Sequence, residues 1–197
     1  MSTKAYKGGI TLKKLLCFLI IAVMLCGCSG GSDLTDRAMA LRGKLQAASG
    51  CAFDATVTAD YGDKTYTFAM GCRVDARGNL SFTVKEPESI AGISGVIDNS
   101  GGKLTFDEHM LAFPMLADGQ VTPISGPWIL MKTLLGGYLT AVSEEDDLLH
   151  LTIHDSYEED ALQMEIWLDG ENAPVCAEIF YDGRRIVTMT IENFQMR

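Results

Sequence analysis

Three sets of residues in this sequence carry side chains that could do chemistry. His150 and His154 lie four positions apart with Thr152 between them, a spacing that puts both imidazoles on one face of a strand. Such a pair could ligate a metal, but the adjacent Asp155 projects to the opposite face, so a third ligand has to come from elsewhere. The plainer reading is a polar outer face, with Leu149, Leu151 and Ile153 on the other side. His109 has no recognisable partner. Ser143-Glu144-Glu145-Asp146-Asp147 and Tyr157-Glu158-Glu159-Asp160 are acidic clusters that lack the glycine spacing of a calcium loop. They read as solvated turns, or as a docking surface for a basic partner. No nucleophile elbow, P-loop or zinc-protease motif occurs, and nothing places two carboxylates across a cleft. The expectation is a chain without catalysis and without a cofactor.

The remaining chemistry belongs to cysteine. Lys4, Lys7, Lys13 and Lys14 precede an apolar run from Leu15 to Leu25 of about eleven residues, too short to span a hydrocarbon core of roughly 30 Å as a helix. A basic head, a short apolar core and small residues after it mark a secretory signal. Leu25-Cys26-Gly27-Cys28 then resembles a lipobox, in which the last thiol takes a diacylglyceryl group and the peptidase cuts just before it. Two acyl chains anchor stably where one does not, each buried methylene contributing about 0.8 kcal/mol. The alternatives are an ordinary cleaved signal or an uncleaved anchor. The reading divides the chain into a signal peptide (1–27), a lipidated tether (28–32) and one domain (33–197). Cys51, Cys72 and Cys176 remain in that domain. One bridge with one free thiol, or three reduced cysteines, both fit an odd number outside the cytoplasm, and the absence of a CxxC pair argues against structural zinc.

Removing 27 of 197 residues leaves 170, enough for one domain with a sizeable core. Four of the 16 basic residues lie in the leader, so 12 remain against 26 acids and the mature charge is −14. That sign excludes nucleic acid as a partner and opposes lying flat on anionic lipid.

The elements follow from periodicity. Leu34, Ala38, Leu41 and Leu45 form one apolar stripe of a helix over 33–48, with Asp33 or Thr35 to cap it and Gly50 to help end it. The period then becomes two. Cys51 to Ala59 and Tyr66 to Val74 alternate around Gly62-Asp63, and pairing Tyr61 with Lys64 sets Phe53 opposite Cys72 and Val74 opposite Cys51. Leu80, Phe82 and Val84 make a third strand, and 92–98 with 103–107 a further hairpin; 109–123 is less regular. A second helix is predicted over 125–142, with Pro127 in its first turn and Lys132 its only charge. Apolar nearly all round, it must be buried. Gly136-Gly137 would weaken it, bend it, or let a strand pass close. Strands at about 148–155, 161–168, 175–181 and 184–194 finish the chain, with Asp169-Gly170 and Asp182-Gly183 as turns.

These elements predict a mainly β fold: an unclosed antiparallel β-barrel of about 9–11 strands curled over an apolar helix. Phe53, Val57, Phe68, Met70, Phe82, Trp128, Met131, Leu135 and Trp167 are the candidate lining of its interior.

The early helix, the hairpin from Cys51 to Val74, Phe82-Thr-Val-Lys-Glu-Pro87-Glu-Ser-Ile90-Ala-Gly-Ile93, Gly102-Lys-Leu104-Thr-Phe106, Ser125-Gly-Pro127-Trp and Tyr181-Asp-Gly183 together resemble the superfamily of lipoprotein-localisation factors LolA and LolB and of LppX-type mycobacterial lipoproteins. Within it the chain is most similar to the LolA-like lipoproteins of spore-forming Firmicutes, one of which supports germination by binding a cell-wall amidase. The lipidated cysteine departs from LolA itself, a soluble carrier. The resemblance implies an unclosed barrel of antiparallel strands wrapped over helices, and the extracytoplasmic face of a cell membrane.

Three functions compete. One is a non-catalytic binding module for a lipid or acyl chain, in which the ten methionines would adapt to an irregular ligand. Another is a protein-interaction module that tethers or activates a cell-envelope enzyme such as a cell-wall amidase. The third, a metal-dependent enzyme built on His150 and His154, is the weakest. An apolar interior alone does not separate the first two, because a packed core needs no ligand.

Overall fold

The computed structural model describes residues 30–106, 109–113, 116–117, 120–158 and 161–197, with side chains over 33–105, 121–158 and 161–197. Cys28 and the leader, and the side chain of His109, lie outside the described residues.

Helix α1 (Gly30–Ala47) opens the described chain. Asp33 in its first turn and Lys44 in its last complement the helix dipole, and Ala38, Leu41 and Leu45 are buried, as their spacing predicts. It begins before Asp33, so helix occupies part of the expected tether. Eight strands follow: β1 (Gly50–Asp60), β2 (Thr65–Asp75), β3 (Leu80–Glu86), β4 (Ser94–Asp98), β5 (Gly101–Phe106), β6 (His109–Phe113), β7 (Leu116–Ala117) and β8 (Gln120–Val121). Helix α2 (Gly126–Gly136) comes next, then β9 (Tyr138–Glu145), β10 (Leu148–His154), β11 (Gln163–Leu168), β12 (Pro174–Tyr181) and β13 (Arg184–Met196).

Eleven strands form one curved, unclosed antiparallel sheet in the order β6-β5-β4-β3-β2-β1-β13-β12-β11-β10-β9. The first and last strands meet at its centre, and β6 and β9 are its edges. The opening hairpin has the predicted register, with Cys51 opposite Val74 and Phe53 opposite Cys72, because a slip of one residue would turn every apolar side chain outward.

The second helix differs from the prediction. It ends at Gly136, and Tyr138 to Glu145 is a strand rather than its last turns. The Gly137 N–H donates to the Thr133 carbonyl at 2.8 Å. A Cβ on Gly137 would stand 2.6 Å from Ile153 Cγ2 and 2.9 Å from the His154 carbonyl oxygen. The close strand passage that Gly136-Gly137 allows is thus what ends the helix. Its final carbonyls are satisfied from outside, since Arg42 Nε of α1 donates to Leu134 O at 2.7 Å and Gln46 Nε2 to Leu135 O at 3.1 Å.

Candidate functional site

The interior lies between the sheet's concave face and α2. Phe53, Val57, Phe68, Met70, Phe82, Trp128 and Met131 are all buried there, none more than 8 % exposed. Ile129, Leu130 and Leu134 of α2 are buried with them. Alternation along β1 to β3 and the all-round apolar α2 bring these side chains together. Trp128 is fixed at its polar end by a 3.1 Å hydrogen bond from Nε1 to Gly78 O, and Lys132 Nζ stands 5.1 Å from its ring centroid. Phe53 stacks on Phe194 with centroids 5.8 Å apart. The hydroxyl of Thr133 is buried with no hydrogen-bond partner among the described residues.

The hollows that reach this interior are small. A gap of about 10 Å³ lies under α1 beside Leu41, Leu134 and Leu151, no larger than the space one water needs. A cleft of about 230 Å³ opens at one end of the shell, lined by Leu45, Cys51, Val74, Met131, Leu135 and the turn after β2. Of the predicted lining residues, Met131 and Leu135 border this cleft, and Leu135 is half-buried. Leu45, Cys51 and Val74 join them in its wall, which no local pattern shows, since which end of a barrel stays open is a property of the assembled sheet.

Trp167 sits elsewhere. Strand β11 buries Met164, Ile166 and Leu168 and turns Gln163, Glu165 and Trp167 to the outer face. There the Trp167 ring stacks on His150 with centroids 4.6 Å apart and an interplanar angle of 6°. Trp167 Nε1 donates to Glu145 Oε2 at 2.9 Å. His150 Nε2 lies 2.6 Å from Glu165 Oε2, which accepts from Thr152 Oγ1 at 2.8 Å. Ser143 Oγ lies 3.3 Å from His150 Nδ1. A serine, an imidazole and a carboxylate in line have the composition of a nucleophilic relay, but here the imidazole lies face-on against an indole and the set cross-braces β9, β10 and β11. His154 shares the face, paired in register with Tyr138 and Gln163. Among the described residues no group of three His, Cys, Asp or Glu is placed to hold a metal.

Further along that edge, Tyr138 and Tyr157 lie with centroids 3.6 Å apart, and Tyr157 is 82 % exposed. Glu144, Glu145, Asp146 and Asp147 are exposed at the opposite end of β9, around the turn into β10.

The three domain cysteines are free, which resolves the alternatives left by their odd number. Burial pushes the Cys51 thiol up to about 11 and raises that of Cys72. Cys51 Sγ rests 4.0 Å from Met131 Sδ.

Fold and site together define an open antiparallel β-barrel whose concave face is filled by a helix. Among solved structures the chain is similar to a putative outer-membrane lipoprotein-sorting protein domain from Vibrio parahaemolyticus (8 % identity, 85 % of this chain and 92 % of that one, TM-score 0.47). It is similar also to the lipoprotein LppX of Mycobacterium tuberculosis (11 % identity, 84 % and 96 %, TM-score 0.42). A third is the complex of the CwlD amidase from Clostridioides difficile with the GerS lipoprotein (10 % identity, 100 % of both chains, TM-score 0.41). No protein-family model and no curated protein matches the sequence. These are likenesses of chain course, and function rests on the residues themselves. Among the described residues no helix is long and apolar enough to cross a membrane.

Proposed function

We propose that the chain is a membrane-anchored, extracytoplasmic lipoprotein, cleaved after residue 27 and lipidated at Cys28, whose domain is a non-catalytic protein-interaction module for a cell-envelope enzyme. A cell-wall amidase is the kind of partner the sequence resemblance implies. The observation that carries the reading is the filled interior. Phe53, Met70, Phe82, Trp128, Leu130 and Met131 interdigitate at 3 % exposure or less, and the cleft at the open end, about 230 Å³, is below the roughly 300–1,000 Å³ of ordinary small-molecule pockets. A module with a solid core binds through its surface. The exposed Tyr138–Tyr157 pair and the acidic edge at 144–147 supply aromatic anchors and a field that steers a basic partner.

Photocrosslinking in cells from a residue placed at Tyr157, with one placed at Thr58 as control, tests this. One envelope protein captured at Tyr157 and not at Thr58 is expected; no capture at either site overturns the reading. A second reading, the hydrophobic-ligand module, is supported by the apolar wall of the cleft at Leu45, Val74, Met131 and Leu135. It requires native mass spectrometry of the chain, taken from its own membrane, to show a stoichiometric lipid besides the anchor.

A further inference from the structure

On the outer face, away from both surfaces above, the sheet bears an open hollow of about 540 Å³ where β13, β1, β2 and β3 lie side by side. Its floor is the small residues Ala52 and Gly71. Gly71 sits in mid-strand without a positive φ, so no backbone conformation requires glycine there. An interior strand glycine weakens a sheet; here it leaves room for Lys85, whose Cε would stand 3.2 Å from a Cβ at position 71.

Two β-bulges flank this floor. The pairing of β1 with β13 shifts between Ala52 and Asp54, leaving Asn193 as an extra residue with φ of 54°. The pairing of β2 with β3 shifts between Ala69 and Met70, leaving Lys85 as the other. Bulges re-aim side chains, and both of these aim at one carboxylate: Lys85 Nζ lies 2.5 Å from Asp54 Oδ1 and Asn193 Nδ2 3.0 Å from Asp54 Oδ2. The hydrogen bonds from Lys85 and then Asn193 hold the Asp54 carboxyl below its ordinary range. Its charge is thereby spent on its neighbours.

Arg73 and Arg197 complete the rim. Arg197 is pinned by its backbone, which donates to Gly50 O at 2.9 Å and accepts from Ser49 N at 2.7 Å. Neither guanidinium has a hydrogen-bonding or ion-pair partner among the described side chains, and Ser81 and Thr83 add hydroxyls. Three of the chain's 16 cations thus line one hollow against a single, already paired, acidic side chain, on a protein of net charge −10.

We propose that this hollow is a binding site for an oxyanion, a carboxylate or phosphate group, borne by a hydroxyl- or amide-rich envelope molecule. Arg73 and Arg197 take the oxyanion, as a guanidinium fork matches carboxylate and phosphate geometry. The Asp54–Lys85–Asn193 cluster, lying across Gly71, forms the fixed wall. The site is independent of the protein-partner reading.

The test is NMR of the Arg Nε–H signals and of the Ser81 and Thr83 backbone amides of the full chain in phosphatidylcholine nanodiscs, titrated with inorganic phosphate and with acetate, and repeated in discs containing phosphatidylglycerol. Saturable shifts at Arg73 and Arg197 are expected. The exposed double substitution Arg73→Gln/Arg197→Gln should weaken binding at least tenfold, read at the Ser81 and Thr83 amides, with the fold retained. Shifts with free anions assign a soluble ligand; shifts only in anionic discs assign a lipid headgroup. Absence of saturable shifts in both arms, or shifts that survive these substitutions, overturns the proposal.

Discussion

Replacing Leu130 by alanine separates a solid interior from a hollow one. Leu130 lies on α2 with no exposed surface, among Trp128, Met131 and Leu134. The substitution removes three carbons, worth about 0.8 kcal/mol each when buried, or about 2.4 kcal/mol in transfer alone. If neighbours already fill the space, the void adds to that cost at about 24 cal/mol per Å³, giving about 3–4 kcal/mol in total. For a domain of this size each kcal/mol lowers Tm by about 2–4 °C, so the fall should be roughly 6–16 °C. Urea and thermal denaturation of residues 28–197 carrying Cys28→Ser would measure it, with Met131→Ala, at the cleft, costing less. A loss under about 1 kcal/mol for Leu130→Ala would mean that this side chain borders space already empty, and the protein-interaction reading would lose its chief support.

Further outcomes are expected. Cys28→Ser should abolish incorporation of labelled fatty acid and release the chain from the membrane fraction; retention of label would refute lipidation there. Gly137→Val should destabilise by at least about 1–3 kcal/mol, the range for overpacking, because two of the atoms its Cβ would meet are backbone oxygens; unchanged denaturation would show that the α2–β9 junction yields. Thr133→Val, which removes a buried hydroxyl without a partner, should be neutral or stabilising by about 1 kcal/mol in the same assay. A thiol reagent should modify half-buried Cys176 before Cys51 or Cys72 in the native state. The raised Cys51 thiol also gives stability a pH dependence. Its contribution is whole below the ordinary thiol value of 9.0 and is lost as pH climbs toward about 11, since the unfolded chain releases the proton first; a flat profile from pH 8 to 11 would contradict its burial.

What the sequence determined by itself is what local periodicity and local chemistry can carry. The basic head, short apolar run and Cys28 need no fold to be legible. Alternation around Gly62-Asp63 set the β1–β2 register, because a single slip would expose a whole apolar face. The stripe on α1 and the forced burial of α2 followed from side-chain period alone. Even the outward turn of Trp167 was present in the alternation Gln163-Met164-Glu165-Ile166-Trp167-Leu168, against its place among the candidate lining residues. Tertiary structure decided the rest. Tyr138, Leu139 and Val142 suit a helix or a strand, and the approach of Ile153 and His154 to Gly137 chose the strand. Whether the shell is filled or hollow depends on how Leu130 meets residues from strands on both sides of the sheet. Asp54 and Asn193 are 139 positions apart and meet because β13 returns to lie beside β1. Mid-strand Gly71 was the local trace of that cluster, because Lys85 lies across it, and only strand pairing shows what surrounds it.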